Sequence, residues 1–248
     1  MRSPERTGIS NRQAVKLHFY TTQPQPCSYL SNRQSTTLFA DPQATLDSAI
    51  YGQLIEQGFR RSGEYLYRPD CPTCSACMSL RIPVTEFIPN RSQRRTWQRN
   101  RDIEVTALPA RYSDEQFRLY QRYIHSRHRG GEMDNPTPES YLTFLTSSWS
   151  DTIFYGFRLE QKLLAVAVAD QLRTGLSAVY TFFDPEYAAH SPGNYAILWL
   201  IQEARRRNLP WLYLGYWIKE CPKMAYKNRY QPFEIYQNGS WQKTGKRS

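Results

Sequence analysis

Apolar positions recur with different periods along the chain, and the second half is the clearer. Thr152–Leu159, Lys162–Leu172 and Leu176–Phe183 are rich in β-forming residues. The last two meet across a tight Arg173-Thr174-Gly175 turn, which predicts an antiparallel meander. Ser191-Pro192-Gly193 then opens a helix over Asn194–Arg207, and Trp211–Tyr216 is a further strand. Before the meander, Ser113-Asp114-Glu115-Gln116 has the form of a capping box and starts a helix running through His128, ended by Gly130-Gly131. Thr137-Pro138 starts another helix through Leu145, with Pro at the first helical position. Helices, a meander, a helix and a strand give an α+β order.

In the first half, Met1–Gln13 is polar, and Leu17–Tyr20 is a short strand candidate. Asp41–Gln57 predicts a helix: Leu46, Ile50 and Leu54 fall on one face, and Gly58 stops it. Tyr65–Tyr67 and Met78–Pro83 read as strands around a cysteine-bearing turn, and Ser92 is placed to cap a short helix. A soft boundary falls at Glu104–Ala110. The domains expected are therefore residues 1–104, residues 105–240, and a flexible tail at residues 241–248.

Charge changes the picture. The net charge of +10 is spread over both halves, which favours polyanionic partners. Arg91, Arg94, Arg95, Arg99 and Arg101 fall within eleven positions that hold no acid. A solvated helix face is the plainer reading of that run. Arginine also matches phosphates and carboxylates with a two-point fork. In the block from Tyr213 to Tyr230 cations alternate with aromatics: Lys219, Lys223, Tyr226, Lys227, Arg229 and Tyr230. Snorkelling lysines on a solvated loop would explain it, but so many aromatics on a surface loop favour a nucleotide or its phosphates. The turn between Phe183 and Gly193 ends in a helix N-terminus whose free amides attract anions.

No run approaches the about eighteen apolar residues that a membrane helix needs. The start of the chain carries no apolar signal region. Both points predict a cytoplasmic protein without a membrane partner, and a monomer is the expectation. There the five cysteines serve as reduced thiols, metal ligands or catalytic groups. Cys71, Cys74 and Cys77 sit at x2 spacing, and Cys27 is a candidate fourth ligand from afar. Together they are a candidate zinc or iron–sulfur set. Reduced thiols in a tight turn are the alternative. His125 and His128, at i and i+3 among arginines, fit polar surface or RNA contact better than metal.

Several segments, in order, carry a resemblance. They are Pro26-Cys27-Ser28-Tyr29-Leu30, Tyr67-Arg68-Pro69 with the cysteine turn, Ser92-Gln93-Arg94-Arg95, Tyr180-Thr181-Phe182-Phe183-Asp184-Pro185, and Tyr213-Leu214-Gly215-Tyr216-Trp217 with Lys223-Met224 and Tyr226-Lys227. They resemble the arginyl-tRNA–protein transferase family, and within it the bacterial aspartate/glutamate leucyltransferase branch. The resemblance runs from about Leu17 to Gln231.

It implies an aminoacyltransferase that moves Leu from leucyl-tRNA to the α-amino group of proteins with N-terminal Asp or Glu, feeding N-degron degradation. It also implies a fold similar to GNAT acyltransferases, as one core or two such halves, behind a Cys-bearing N-terminal part. The implied reaction turns an ester into an amide and requires no cofactor. Candidates for taking the amine proton are Asp170 and Asp184, with Tyr180 and Tyr216 as helpers. Asp184-Pro185-Glu186 is also a common strand-ending turn. Arg91, Arg94 and Arg95 are candidates for the acceptor carboxylate or the tRNA acceptor stem. Gly193, Lys219, Lys223, Tyr226 and Lys227 are candidates for substrate or tRNA binding.

Alternatives are an arginyl donor, a non-enzymatic Cys-knuckle RNA-binding protein, and an acyl-CoA-dependent GNAT. Against the last, Ser191-Pro192-Gly193-Asn194 lacks the Arg/Gln-x-x-Gly-x-Gly/Ala loop.

Overall fold

A computed structural model describes residues 17–127, 129–131 and 133–244. Residues 1–13, His128 and the last four residues of the expected tail lie outside that description. In the first part, β1 (Phe19–Thr21), β2 (Gln25–Pro26), β3 (Gln34–Ser35) and β4 (Thr37–Ala40) precede helix α1 (Ser48–Glu56). The expected helix from Asp41 begins only at Ser48. Asp47 is extended and its carboxylate accepts from the Ile50 amide at 2.7 Å, so it caps the helix and leaves Leu46 outside. Gly58 follows with φ +83°, the left-handed conformation that ends helices.

Next come β5 (Arg60–Ser62), β6 (Tyr65–Pro69), β7 (Met78–Pro83) and α2 (Arg91–Arg99). Asn90, rather than Ser92, caps α2, in a capping box with Gln93. The expected boundary region is β8 (Glu104–Leu108). Then follow α3 (Asp114–Arg127), α4 (Pro138–Leu145), β9 (Asp151–Leu159), β10 (Lys162–Gln171), β11 (Gly175–Phe183), α5 (Pro192–Arg206) and β12 (Trp211–Trp217). The cation–aromatic block is helical in part, through α6 (Pro222–Ala225) and a 3-10 turn over Tyr226–Arg229. β13 (Phe233–Gln237) and β14 (Ser240–Thr244) close the described chain, so residues 241–244 are strand where a tail was expected.

Eight strands form one mixed sheet in the order β14-β13-β7-β12-β11-β10-β9-β8, and a smaller sheet runs β1-β4-β6-β5. The large sheet crosses sequence position 104: β7 sits between β12 and β13, antiparallel to both.

The core follows from β10, whose residues Leu163–Asp170 are all buried, as in a strand covered on both faces. Ala165, Ala167 and Ala169 face one way, where Ala196, Leu200 and Ala204 of α5 pack. Val166 and Val168 face the other way, against Tyr120 and Ile124 of α3 and Tyr141 and Leu145 of α4. A third cluster lies between α1 and the smaller sheet, with Tyr51, Ile55, Phe59 and Leu66 buried beside Tyr213. Arg81 joins the sheet to α1. Its guanidinium lies 3.7 Å and 4.2 Å from the ring centroids of Trp211 and Trp241 and pairs with Glu56 and Glu234. Among the described residues no helix is long and apolar enough to cross a membrane.

Candidate functional site

The site grows from one irregularity in the large sheet. β11 and β12 are joined through α5 and run parallel, as a helical crossover permits. Their pairing covers only Gly175 with Trp211, Leu176 with Leu212, and Ser177 with Tyr213. Beyond it, β11 runs on to Phe183 and β12 to Trp217 without pairing to each other, so the strands part. Gly175 is required at the closed end, where a Cβ would stand 2.5 Å from the Trp211 carbonyl oxygen. At the open end β12 shifts register against β7 between Tyr213 and Gly215, and Gly215 has φ +84°. That conformation is costly for any residue with a side chain.

Parting strands leave backbone groups without ladder partners. Arg60 of β5 fills this gap: its Nη2 donates to the carbonyl oxygens of Ala178, at 3.0 Å, and Tyr213, at 3.4 Å. A cavity of about 140 Å³ lies in the opening, lined by Tyr51, Arg60, Ser177, Gly215, Tyr216 and Lys227 among others. Lys227 is buried and its Nζ donates to the Tyr216 carbonyl at 2.5 Å. Burial, and then the positive charge of Arg60, pull the Lys227 pKa down to about 7.

The expected base Asp170 lies behind this cavity with no solvent exposure. Arg61 grips it at two points, Nε to Oδ2 and Nη2 to Oδ1, both at 2.6 Å. Tyr51 Oη donates to Oδ2 at 2.9 Å and Thr152 Oγ1 to Oδ1 at 2.7 Å. Both oxygens are therefore engaged, and Asp170 is placed to hold Arg61 and Tyr51 rather than to meet an incoming amine. Asp184 caps the turn Pro185–His190, accepting from the Glu186 amide at 3.1 Å and pairing with Lys162 at 3.1 Å. Burial pushes its pKa up, but the Lys162 hydrogen bond, the Glu186 amide and the charges of Lys162 and Arg122 outweigh it and hold the carboxyl below its ordinary value. That is the strand-ending turn, away from the cavity.

Tyr180 packs among aromatic rings, 5.1 Å from Phe144 and 6.2 Å from Tyr120, and does not line the cavity. Burial, with Tyr123 and Tyr120 beside it, raises its pKa. Tyr216 does line the cavity. Its hydroxyl is within reach of the carbonyls of Tyr67, at 3.0 Å, and Gly58, at 3.2 Å. Burial raises its pKa well above the ordinary value, so it stays a proton donor.

Arg91, Arg94 and Arg95 are exposed on α2 and do not line the cavity. Their helix is fixed by Gln93, whose Nε2 donates to the Arg229 carbonyl at 3.0 Å, and by Trp97 packed on Tyr195 of α5. Gly193 lies in the first turn of α5. Ser191 there has φ +55° and offers no side-chain cap, and Pro192 has no amide hydrogen. Lys219 and Lys223 are exposed and Tyr226 is half-buried. Of the cation–aromatic block, the structure brings Tyr216 and Lys227 to the cavity.

Cys71 and Cys74 face each other across a backbone bridge. Arg33 Nη1 donates to Cys74 Sγ at 3.1 Å, and Cys71 Sγ to the Thr36 carbonyl at 3.6 Å. Burial, then the neighbouring Cys27, Cys71, Cys74 and Cys221, push the Cys77 thiol up to about 12, so it carries its proton at neutral pH. Among the described residues no three His, Cys, Asp or Glu side chains are grouped to hold a metal ion. The set Cys27, Cys71, Cys74 and Cys77 is thus near-neighbouring but not convergent, because two of its thiols are turned to protein partners.

Sequence reasoning missed Arg60, Arg61, Tyr51 and Ser177. The doublet Arg60-Arg61 gives no local sign of burial. The signal that could have found it is the unpaired charge count: in a buried strand, Asp170 needs a cation.

The family model for the N terminus of arginine-tRNA-protein transferase matches residues 25–95, and the model for its C terminus matches residues 115–237. A protein of Alcanivorax borkumensis named aspartate/glutamate leucyltransferase is 54% identical over 225 residues, covering 91% of this chain and 93% of that one. One of Pseudomonas putida with the same name is 52% identical over 229 residues, covering 92% and 97%. Among solved structures, L-PGS from Bacillus licheniformis aligns with a TM-score of 0.43 at 11% identity over 57% of this chain and 45% of that one, which is too weak to establish a shared fold. Both halves of the chain match in order, and the relatives match nearly end to end: the chain belongs to the arginine-tRNA-protein transferase family.

Proposed function

We propose that the protein transfers leucine from leucyl-tRNA to the α-amino group of proteins that begin with Asp or Glu, and so marks them for degradation. The observation that carries this is the identity above 50%, over more than nine-tenths of the chain, to relatives named for that activity. Those names do not favour an arginyl donor or a non-enzymatic RNA-binding role. The activity would place the protein in the cytoplasm, where charged tRNA is found.

The geometry supports transfer in the opening between β11 and β12. We read the antiparallel meander, the crossover helix and the parallel strand that parts from its neighbour as GNAT-like. The acceptor amine must be neutral to attack, and a free α-amino group has a pKa of about 7.7–8.0. Its nitrogen bonds to the ester carbonyl carbon, the bond to the 3′-oxygen of the terminal adenosine breaks, and one amine proton ends on that oxygen. An ester becomes an amide, so the step runs without ATP. Positioning does the main work, since two bound groups react as one molecule. Tyr216, with Ser177 and Ala178 of β11 and Leu214 and Gly215 of β12, lines the cavity where the reacting groups would meet. The uncapped first turn of α5 at Gly193, with the exposed arginines of α2, suits the phosphates at the tRNA 3′ end.

The test is a matrix: labelled leucyl-tRNA and arginyl-tRNA, each offered with peptides beginning Asp, Glu, Lys or Ala. Leucine should pass to the Asp and Glu peptides, with little to Lys or Ala. Equal or better use of arginyl-tRNA contradicts the donor, and transfer from neither contradicts the enzyme.

A further inference from the structure

Arg60 and Lys227 bring two buried basic groups to one spot. A Cβ on Gly215 would stand 3.4 Å from Lys227 Nζ and 3.7 Å from Arg60 Nη2, so both heads approach the same backbone atom. Arg60 is 6% and Lys227 7% exposed. Both donate to neutral groups: Arg60 to the carbonyls of Ala178 and Tyr213, and Lys227 to the carbonyl of Tyr216 and the sulfur of Met224. Among the described residues neither forms an ion pair, whereas the neighbouring Arg61 has Asp170 and Arg81 has Glu56 and Glu234. No acidic residue lines the cavity that they share. Burying a cation without a counter-charge is costly, and burying two side by side is costlier. A ligand that supplies the missing negative charge would offset that cost.

The cavity selects among anions. Its volume of about 140 Å³ suits a carboxylate on a short stem and is tight for a phosphate carrying its ribose and base. The arginines of α2 offer phosphates an open surface instead. Resting on the transfer reading above, we propose that Arg60 and Lys227 form the subsite that binds the side-chain carboxylate of the acceptor's N-terminal Asp or Glu. Arg60 supplies a guanidinium fixed by two carbonyls, and Lys227 supplies the second charge. With its pKa drawn down to about 7, Lys227 takes up a proton as the carboxylate arrives. An N-terminal Asn or Gln would leave both cations unpaired, which is how such a site rejects the neutral isostere.

The experiment compares the full chain with Arg60→Gln, Arg60→Lys and Lys227→Met. Leucyl transfer to a Glu-initiated and a Gln-initiated peptide is measured, with the KM for leucyl-tRNA taken separately. Arg60→Gln and Lys227→Met should raise the KM for the Glu peptide about ten- to hundredfold, the loss of one charge-assisted hydrogen bond. They should also narrow the Glu-to-Gln ratio in kcat/KM and leave the KM for leucyl-tRNA unchanged. Arg60→Lys should restore part of the ratio. Lys227→Met removes a charge that repels Arg60, so its unfolding midpoint should equal or exceed that of the wild type. It therefore decides the matter if the Arg60 variants do not fold.

A rise in the KM for leucyl-tRNA alone would assign the pair to a tRNA phosphate and overturn the proposal. So would a lower kcat with an unchanged Glu-to-Gln ratio, or unfolding of Lys227→Met. If the wild type transfers no leucine, the transfer reading falls separately. Calorimetric titration of the wild type with the two peptides then decides the subsite, and equal binding of Glu and Gln overturns it.

Discussion

Arg61 and Asp170 meet in a two-point ion pair in which neither side chain has any solvent exposure. Removing one partner of such a pair leaves a buried charge uncompensated. Asp170→Asn should therefore lower unfolding stability by about 3–5 kcal/mol in urea denaturation. The folded fraction should keep the wild-type shape of the pH profile for kcat/KM. A variant of wild-type stability that has lost turnover would instead make Asp170 the base that the sequence suggested.

Lys227 gives a pH test with a definite sign. Its pKa falls from the ordinary 10.5 to about 7 in the folded protein, through burial first and then Arg60. Below pH 7 the amine is protonated in both the folded and unfolded chains, and the buried charge costs the fold in full. Between about pH 7 and 10.5 the unfolded chain holds the proton and the folded chain does not, so the unfolded state binds more protons and stability rises with pH through that window. Compared with Lys227→Met, the wild type should gain stability as pH rises from 7 to 10, read from parallel urea denaturation series. A difference that stays flat over that range would show that Lys227 does not titrate in this way.

The arginines of α2 are exposed and outside the cavity, so they should serve tRNA rather than acceptor. Joint replacement of Arg94 and Arg95 by Ala should raise the KM for leucyl-tRNA and leave that for a Glu peptide unchanged. For every phosphate that goes unneutralised, the slope of log K against log salt should become shallower by about 1. A higher acceptor KM with unchanged tRNA affinity would move the acceptor subsite to α2.

Much of the frame was legible because it is written in local pattern. The meander at residues 151–183, the crossover helix after Pro192 and the strand from Trp211 follow from apolar runs broken by a tight turn and a Pro-Gly start. The helix start at Thr137-Pro138 is where the sequence places it, and a capping box with Ser140, not expected from the sequence, completes it. What escaped depends on partners distant in sequence. β13 alternates Phe233 and Ile235 inward with Glu234 and Tyr236, but reads as a strand only beside β7. Arg60 looks like a surface charge until the carbonyls of Ala178 and Tyr213 are seen at its head, about 120 and 150 residues away in sequence. Lys227 fits a snorkelling lysine by composition, yet the 3-10 turn over Tyr226–Arg229 directs it inward. The two carboxylates chosen for chemistry, Asp170 and Asp184, are engaged by cations for the same reason they stood out: each is an acid at or near the end of an apolar strand.

The central claim is that transfer takes place where β11 and β12 part. The most direct measurement is a photo-crosslink from a Glu-initiated peptide carrying a photoreactive group at its second residue, mapped by mass spectrometry in the presence of leucyl-tRNA. The account predicts labelling of the stretch after Ser177 in β11, of Leu214–Trp217 in β12, or of the turn that holds Met224 and Lys227, with competition by an unlabelled Glu peptide but not by a Gln peptide. Labelling confined to the exposed face of α2 would contradict it.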